Sequence, residues 1–360
     1  MNPPVRTFTL VGIIVFLLLM MHQLPSLSMG DTPLRPVNLL SQLLPPHNQD
    51  IVDVVPAPKP PRPMVKVEVN GKTVNFKEIW PKGVEPIIDY SGGKAGGMEH
   101  FYEMLAQRNT LDRPVRIAYF GDSYIEGDIL TADLREHFQS LFGGNGPGWV
   151  DAASNINAGH RRTLSTRSIG LTEHVITQGR FDAAKGGISQ RYADVTEGAS
   201  IQVTASSSYP HAAMWSSSEL FLRTNSSVTA TWRSGDKQLG QQTFKGSTAV
   251  QKMQVAGGTI KSGTWKFTGV GAGTQVFGMA LESVKGVILD NFSLRASPGT
   301  SLVRIPTNTL TDFNRLRPYD LIILHFGLNV AVSGNPMVSM RDNMRKVKLV
   351  AAHLRQAFPQ

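Results

Sequence analysis

The 360-residue chain contains no cysteine. This excludes a disulfide framework and any thiolate-held metal centre, and it suits an exported bacterial protein. No metal or other cofactor is expected. The chain also lacks a run of five or six like charges. Its net charge is +9, yet the basic residues are dispersed. The densest groups are His160-Arg161-Arg162 and residues 341–348, and neither is interleaved with aromatics, so no nucleic-acid partner is expected. The GGKAGG stretch at 92–97 lacks the spacing of a phosphate-binding Walker loop and reads as a plain loop. Long apolar runs are scarce too. The one present is TFTLVGIIVFLLLMM at 7–21, which follows a single cation, Arg6.

That run has the length of a signal-peptide core and is short for a membrane span. Ser26-Leu27-Ser28 is a weak cleavage site, so residues 1–28 read as a signal peptide or, in preference, an uncleaved anchor. Either places the rest of the chain across the membrane, in a cell envelope. Residues 29–64 read as a proline-rich linker, in which PAPKPPRP favours extended polyproline II. MVKVEVNGKTVNF then alternates like a hairpin turning at Asn70-Gly71. In the next helix Met98, Phe101, Met104 and Leu105 form the inward face.

What is present in quantity is glycine (34) and proline (22), beside a 41% hydrophobic content that allows a sizeable core. Two segments stand out. In RPVRIAYFGDSYIEGDILTADLREHF, Val115, Ile117, Tyr119 and Phe120 form a buried strand. Ile129, Leu130, Leu134 and Phe138 recur at helical spacing. Ser123 therefore stands where a parallel strand turns toward a helix, its hydroxyl in the open beside free backbone N–H groups. A nucleophilic serine needs that placement, because its oxyanion intermediate needs donors. The alternatives are an N-cap serine and a phosphate-binding turn. In PYDLIILHFGLNVA, residues 321–326 form a second buried strand, ended by Gly327-Leu328-Asn329. Asn329 reads as an oxyanion donor or as a cap of the turn. KGVILDNFSLRASPGTS supplies a third strand through Val287, Ile288 and Leu289.

Together, the GDS block and the later GxN block resemble the SGNH (GDSL-type) hydrolase family, over about residues 113–145 and 285–330. The resemblance implies a three-layer, flavodoxin-like α/β domain. It implies Ser123 as nucleophile and an oxyanion hole built from the Ser123 N–H, a turn N–H and the Asn329 side chain, with Gly121, Asp122 and Gly327 in support. Where the family has an early Arg-Gly, this chain has Arg295-Ala296. Ala296 is therefore the expected second donor, with Gly299 as the other candidate.

Between the blocks, SIQVTAS, ELFLRT, SVTATWR, GTWKFTGV and TQVFGMALE read as short strands separated by Ser, Gly and Asn turns. Residues 150–284 are expected to form an inserted antiparallel, jelly-roll-like β-sandwich. It would interrupt an α/β domain made of 65–149 and 285–360. This arrangement resembles peptidoglycan O-acetylesterases and O-acetyltransferases. A wall or exopolysaccharide glycan is then the implied partner, and Trp215, Trp232 and Trp265 are sugar-stacking or core residues.

The family's base comes from a late Asp-x-x-His block, and none follows Asn329. The base is therefore unassigned. His353 lies on an amphipathic helix with Met340, Met344, Val347 and Leu354. His325 reads as a structural strand histidine, and His160 as a residue bordering the site. The second half of the α/β domain is expected to be short relative to the family and completed by a downstream polypeptide. Three functions follow: an ester hydrolase acting on O-acetylated glycan, an O-acetyltransferase, or a non-catalytic glycan-binding half.

Overall fold

Val115–Gly121 is buried along its whole length and apolar but for Arg116, and a strand of that kind must be covered on both faces. In the computed structural model it is the central strand of a parallel sheet. The structure describes residues 97–332, 334 and 337–359, and before these 5, 7–13, 16, 28–29, 32–33, 65–69 and 72–76. The chain divides into two units, Met1–Pro86 and Ile87–Gln360. In the first unit, residues 7–13 are helical. Ser28–Met29 pairs antiparallel with Thr32–Pro33, and β1 (Val65–Val69) pairs antiparallel with β2 (Lys72–Phe76), as the alternation predicts. Among the described residues no helix is long and apolar enough to cross a membrane. Most of the expected anchor at 1–28 and of the linker at 29–64 lies outside the described residues.

In the second unit, α1 (Glu99–Gln107) leads into β3 (Val115–Gly121). β3 is flanked in parallel by β11 (Val287–Ser293) on one side and β12 (Leu321–His325) on the other. Side chains alternate across β3. Ile117 and Tyr119 meet Phe101 and Leu105 of α1, with Leu134 and Phe138 of α2 (Thr131–Phe142). Ala118 and Phe120 face Leu310 and Phe313 of α4 (Thr307–Leu316), and Val350 and Leu354 of α5 (Met337–Ala357). Helices therefore lie on both faces of the three strands.

The intervening chain is a seven-stranded antiparallel sheet among the described residues, made of β4 (Gly148–Asp151), β5 (Leu164–Val175), β6 (Arg191–Ala205), β7 (Trp215–Ser234), β8 (Lys237–Ile260), β9 (Ser262–Thr268) and β10 (Gln275–Glu282). The short α3 (Asn155–Gly159) follows β4. The expectation for this region was a jelly-roll-like β-sandwich, and its strands join into one continuous sheet. β7 pairs through residues 217–223 with β10 and through residues 229–233 with β9, and β6 pairs with both β9 and β10. The strands close into a barrel-like sheet, which leaves fewer free edges than a sandwich. The molecule is accordingly more β than the α/β expectation. Trp149 on β4 packs against Phe221 of β7, Phe292 of β11 and Phe313 of α4, with ring centroids 5.3, 5.7 and 5.9 Å apart. One hydrophobic core is thus shared between the two sheets.

A buried ionic cluster joins the same elements. Arg317, fully buried, donates to Asp290 of β11 (2.7 Å), Glu219 of β7 (3.0 Å) and Glu282 of β10 (2.7 Å). Arg116 of β3 also pairs with Glu282 (2.6 Å), and the Tyr319 hydroxyl donates to Asp290 (2.6 Å). Burial alone would raise the Glu282 carboxyl, but the Arg116 and Arg317 charges outweigh it and hold it down to about 2. A depressed carboxylate stabilises the fold above its unfolded value, and that stabilisation is lost as pH falls from about 5 toward 2. Arg317→Ala leaves three buried carboxylates short of a partner. It is expected to cost about 3–5 kcal/mol, read from urea unfolding followed by tryptophan fluorescence. A loss below about 1 kcal/mol would show that the cluster is not carrying the junction.

Candidate functional site

The three parallel strands end level with one another, because Gly121 is in register with both Ser293 and His325. Ser123, Ala296 and Asn329 each follow within four residues of those ends. They therefore emerge at the carboxyl edge of the sheet, where open α/β sheets hold their ligands. Asp122 ties them together. It is buried, its Oδ1 accepts from the Tyr124 N–H (3.0 Å) and its Oδ2 accepts from Asn329 Nδ2 (3.2 Å). Asn329 Nδ2 also donates to the Ser297 carbonyl (3.1 Å), in the loop that carries Ala296. The loops after β3, β11 and β12 are thus pinned to one another around Ser123.

Gly121 and Gly327 are where a side chain would obstruct this arrangement or strain it. A Cβ on Gly121 would lie 2.9 Å from the Ile125 side chain, and Gly327 sits at φ +140°. The Gly327 carbonyl accepts from the N–H groups of Val330 and Ala331, which closes the turn around Asn329. Ser123 is half-buried and Asn329 is exposed. Among the described residues, neither the Ser123 hydroxyl nor the backbone N–H groups of Ser123 and Ala296 meet a hydrogen-bond partner. Ala296 is exposed and adopts φ +58°, a left-handed conformation that costs a residue with a Cβ about 1–2 kcal/mol. That is the backbone a glycine takes readily. The alanine here keeps the turn, and its N–H is unused among the described residues. Gly299 differs: it is buried, its N–H donates to Ser297 Oγ (3.1 Å), and a Cβ there would lie 2.5 Å from the Phe326 ring. It is a packing glycine.

The three histidines are spoken for or turned elsewhere. His325 Nδ1 lies 3.0 Å from the Tyr119 hydroxyl, whose pKa burial pushes up. His353 Nε2 lies 2.8 Å from the Ile305 carbonyl, on the opposite side of the sheet from α1 and α2. His160 is exposed at the end of α3, with its carbonyl packed against Gly127. No imidazole of the described residues hydrogen-bonds to Ser123. The tryptophans resolve toward the core. Trp215, Trp232 and Trp265 are 1%, 0% and 0% exposed, and the rings of Trp232 and Trp265 pack 4.8 Å apart. A Cβ on Gly263 would lie 2.4 Å from the Trp232 ring, so the cluster is closed to a ligand.

Two features escaped the sequence reading. Asp128, at φ +64° and fully buried, accepts from Thr131 Oγ1 (2.8 Å), Arg161 Nε (2.8 Å), Asn291 Nδ2 (2.9 Å) and Arg135 (3.2 Å). Burial would raise its pKa, but Arg135 and Arg161 outweigh that and hold it far below the usual range. Asn291 Nδ2 also donates to the Ile125 carbonyl (2.6 Å). The far end of the Ser123 loop is therefore fixed on a charged anchor. Its partners come from three separate segments, so no local pattern announces it. The second feature is Tyr124, directly after Ser123 and 56% exposed.

No protein-family model matches the chain, and no curated protein matches it. Solved structures do. A structure described as a peptidoglycan O-acetylesterase in action aligns over 76% of this chain and 71% of its own, at TM-score 0.57 and 20% identity. At that identity the shared property is the fold. A family 6 carbohydrate-binding module covers 37% of this chain and 91% of its own, at TM-score 0.23 and 12% identity. A family 29 module covers 39% and 90%, at TM-score 0.25 and 10% identity.

Proposed function

We propose that this chain is a cell-envelope carboxylic-ester hydrolase of the SGNH type, acting on O-acetylated glycan through a Ser123 acyl-enzyme. The observation that carries the reading is the convergence of Ser123, Ala296 and Asn329 at the ends of three adjacent parallel strands, with the Ser123 and Ala296 N–H groups unused. Ser123 Oγ attacks the ester carbonyl while its proton passes to a base. The tetrahedral oxygen is held by the two N–H groups and by Asn329 Nδ2, which exchanges its contact with Asp122 or Ser297 for the oxyanion. Collapse expels the glycan hydroxyl, which takes the proton, and leaves acetyl on Ser123. Water then attacks, and acetate leaves. If a second sugar hydroxyl attacks in place of water, the same site is an O-acetyltransferase.

The likeness to the peptidoglycan O-acetylesterase structure supports the coarse class, an esterase acting on carbohydrate. A location outside the cytoplasmic membrane belongs to the same proposal and follows from the apolar run at 7–21. The test is turnover of 4-nitrophenyl acetate and acetate release from O-acetylated peptidoglycan. Asn329→Ala is expected to lower kcat by about 10²–10³, the usual loss for one oxyanion donor. An unchanged kcat would remove Asn329 from the hole. Glycan binding with no acetate release would favour a non-catalytic glycan-binding protein.

A further inference from the structure

A small polar niche lies where the barrel-like sheet meets the Ser123 loop. Its wall includes Asp128, Asp151, Arg161, Arg191, Asn291 and Ser293, and it has room for about one water-sized group. It abuts the site. Asn291 holds the Ile125 carbonyl within the Ser123 loop, and Ser293 is in register with Gly121. Two buried polar atoms here are unsatisfied among the described residues. Asn291 Oδ1 lacks a donor, and Arg191 Nε lacks an acceptor. Their residues are 7% and 8% exposed. Arg191 Nε is 3.5 Å from Asp151 Oδ2, a charge contact without hydrogen-bond geometry. Leaving such atoms unpaired is unfavourable, so the niche is built to receive a group.

The wall also says which group. Two carboxylates, Asp128 and Asp151, are balanced by two guanidinium groups, Arg161 and Arg191. An anion would face the carboxylates and Asn291 Oδ1, and a cation would face the arginines. A hydroxyl is the neutral group that both donates and accepts, as the two orphans require: a donor for Asn291 Oδ1 and an acceptor for Arg191 Nε–H. We propose that this niche is a saccharide subsite: it takes one hydroxyl of a neutral sugar unit while the ring lies across its mouth, so that the glycan runs along the barrel beside Ser123. The inference rests on the glycan-esterase reading and adds to it the residues that hold the sugar. In the free protein a water fills the same role, and the sugar hydroxyl displaces it with its bonds reproduced.

The test is calorimetric titration of the full chain with the β-1,4-linked tetrasaccharide of N-acetylglucosamine, with sulfate as the anionic control. Arg191→Lys keeps the charge and removes the Nε donor. Ser293→Leu fills the niche without touching its ionic pairs. Each is expected to weaken binding at least tenfold in a chain that still unfolds cooperatively, and sulfate is expected not to compete. Should Arg191→Lys fail to fold, Ser293→Leu decides alone. Ser123→Ala is expected to bind the tetrasaccharide like the parent chain, so binding and turnover fail separately. Loss of turnover in Ser123→Ala with binding unaffected by both niche variants would overturn the subsite alone. No saturable saccharide binding, or displacement by sulfate, would also overturn it.

Discussion

Ser123→Ala is expected to abolish acetylation at position 123 by 4-nitrophenyl acetate and with it the Ser123-dependent part of ester cleavage, while leaving the unfolding midpoint within about 1 °C of the parent. The side chain is half-buried and, among the described residues, its hydroxyl has no hydrogen-bond partner. Removing it therefore takes no bond from the fold. The Asp122–Asn329 contact and the Asp128 anchor hold the loop without it. Thermal unfolding beside 4-nitrophenyl acetate turnover separates a chemical loss from a structural one. Acetylation of the Ser123→Ala chain at the parent's yield would place the nucleophile elsewhere.

The second large effect is a gain. A serine hydroxyl without a base is a weak nucleophile, and none of the described imidazoles hydrogen-bonds to Ser123. β12 is paired with β3 alone among the described residues, and its residues are only partly buried, whereas β3 is buried throughout. On α5, Val338, Met344 and Leu349 are 75%, 62% and 64% exposed. A free strand edge beside an uncovered apolar helix face invites association. We propose that a further segment carrying an Asp-x-x-His block covers these surfaces and brings the base to Ser123. Joining such a segment to the chain, or supplying it as a separate polypeptide, is expected to raise Ser123-dependent turnover by at least about 10³, since losing the histidine of a triad costs up to about 10⁶. It should also improve solubility. Full Ser123-dependent turnover by the 360-residue chain alone would refute the missing base. His325 and His160 would then be the first residues to replace.

The strands of the parallel sheet were legible because each is built on a short apolar core (Ile117–Phe120, Val287–Leu289 and Leu321–Leu324), two of them followed by a glycine, Gly121 and Gly327. A strand buried on both faces leaves that mark. Ser123, Asn329 and Ala296 follow from those ends, so their convergence was readable once the strands were parallel neighbours. The antiparallel region was legible as strands but not as a closed sheet. Closure depends on β7 serving two partners along its length, and nothing in the alternation of 215–234 records where one partner gives way to the other. The tryptophans were ambiguous for a similar reason. A strand places every second side chain inward, and only the closure decides which side is inside. The Asp128 anchor and the Arg317 cluster were invisible, because their partners are joined by long-range pairing between segments. Tyr124 was in plain view beside the serine, but exposure is a property of the loop's path.

Reaction of the chain with 4-nitrophenyl acetate, followed by mass analysis of the Ser123 peptide, tests the central claim most directly. The activated ester acylates a weak nucleophile, and without a base in reach of the attacking water the acyl-enzyme persists. One acetyl group is expected on Ser123, none on Ser123→Ala, and a slower yield on Asn329→Ala. An unmodified Ser123, or acetyl spread over surface lysines alone, would contradict the account.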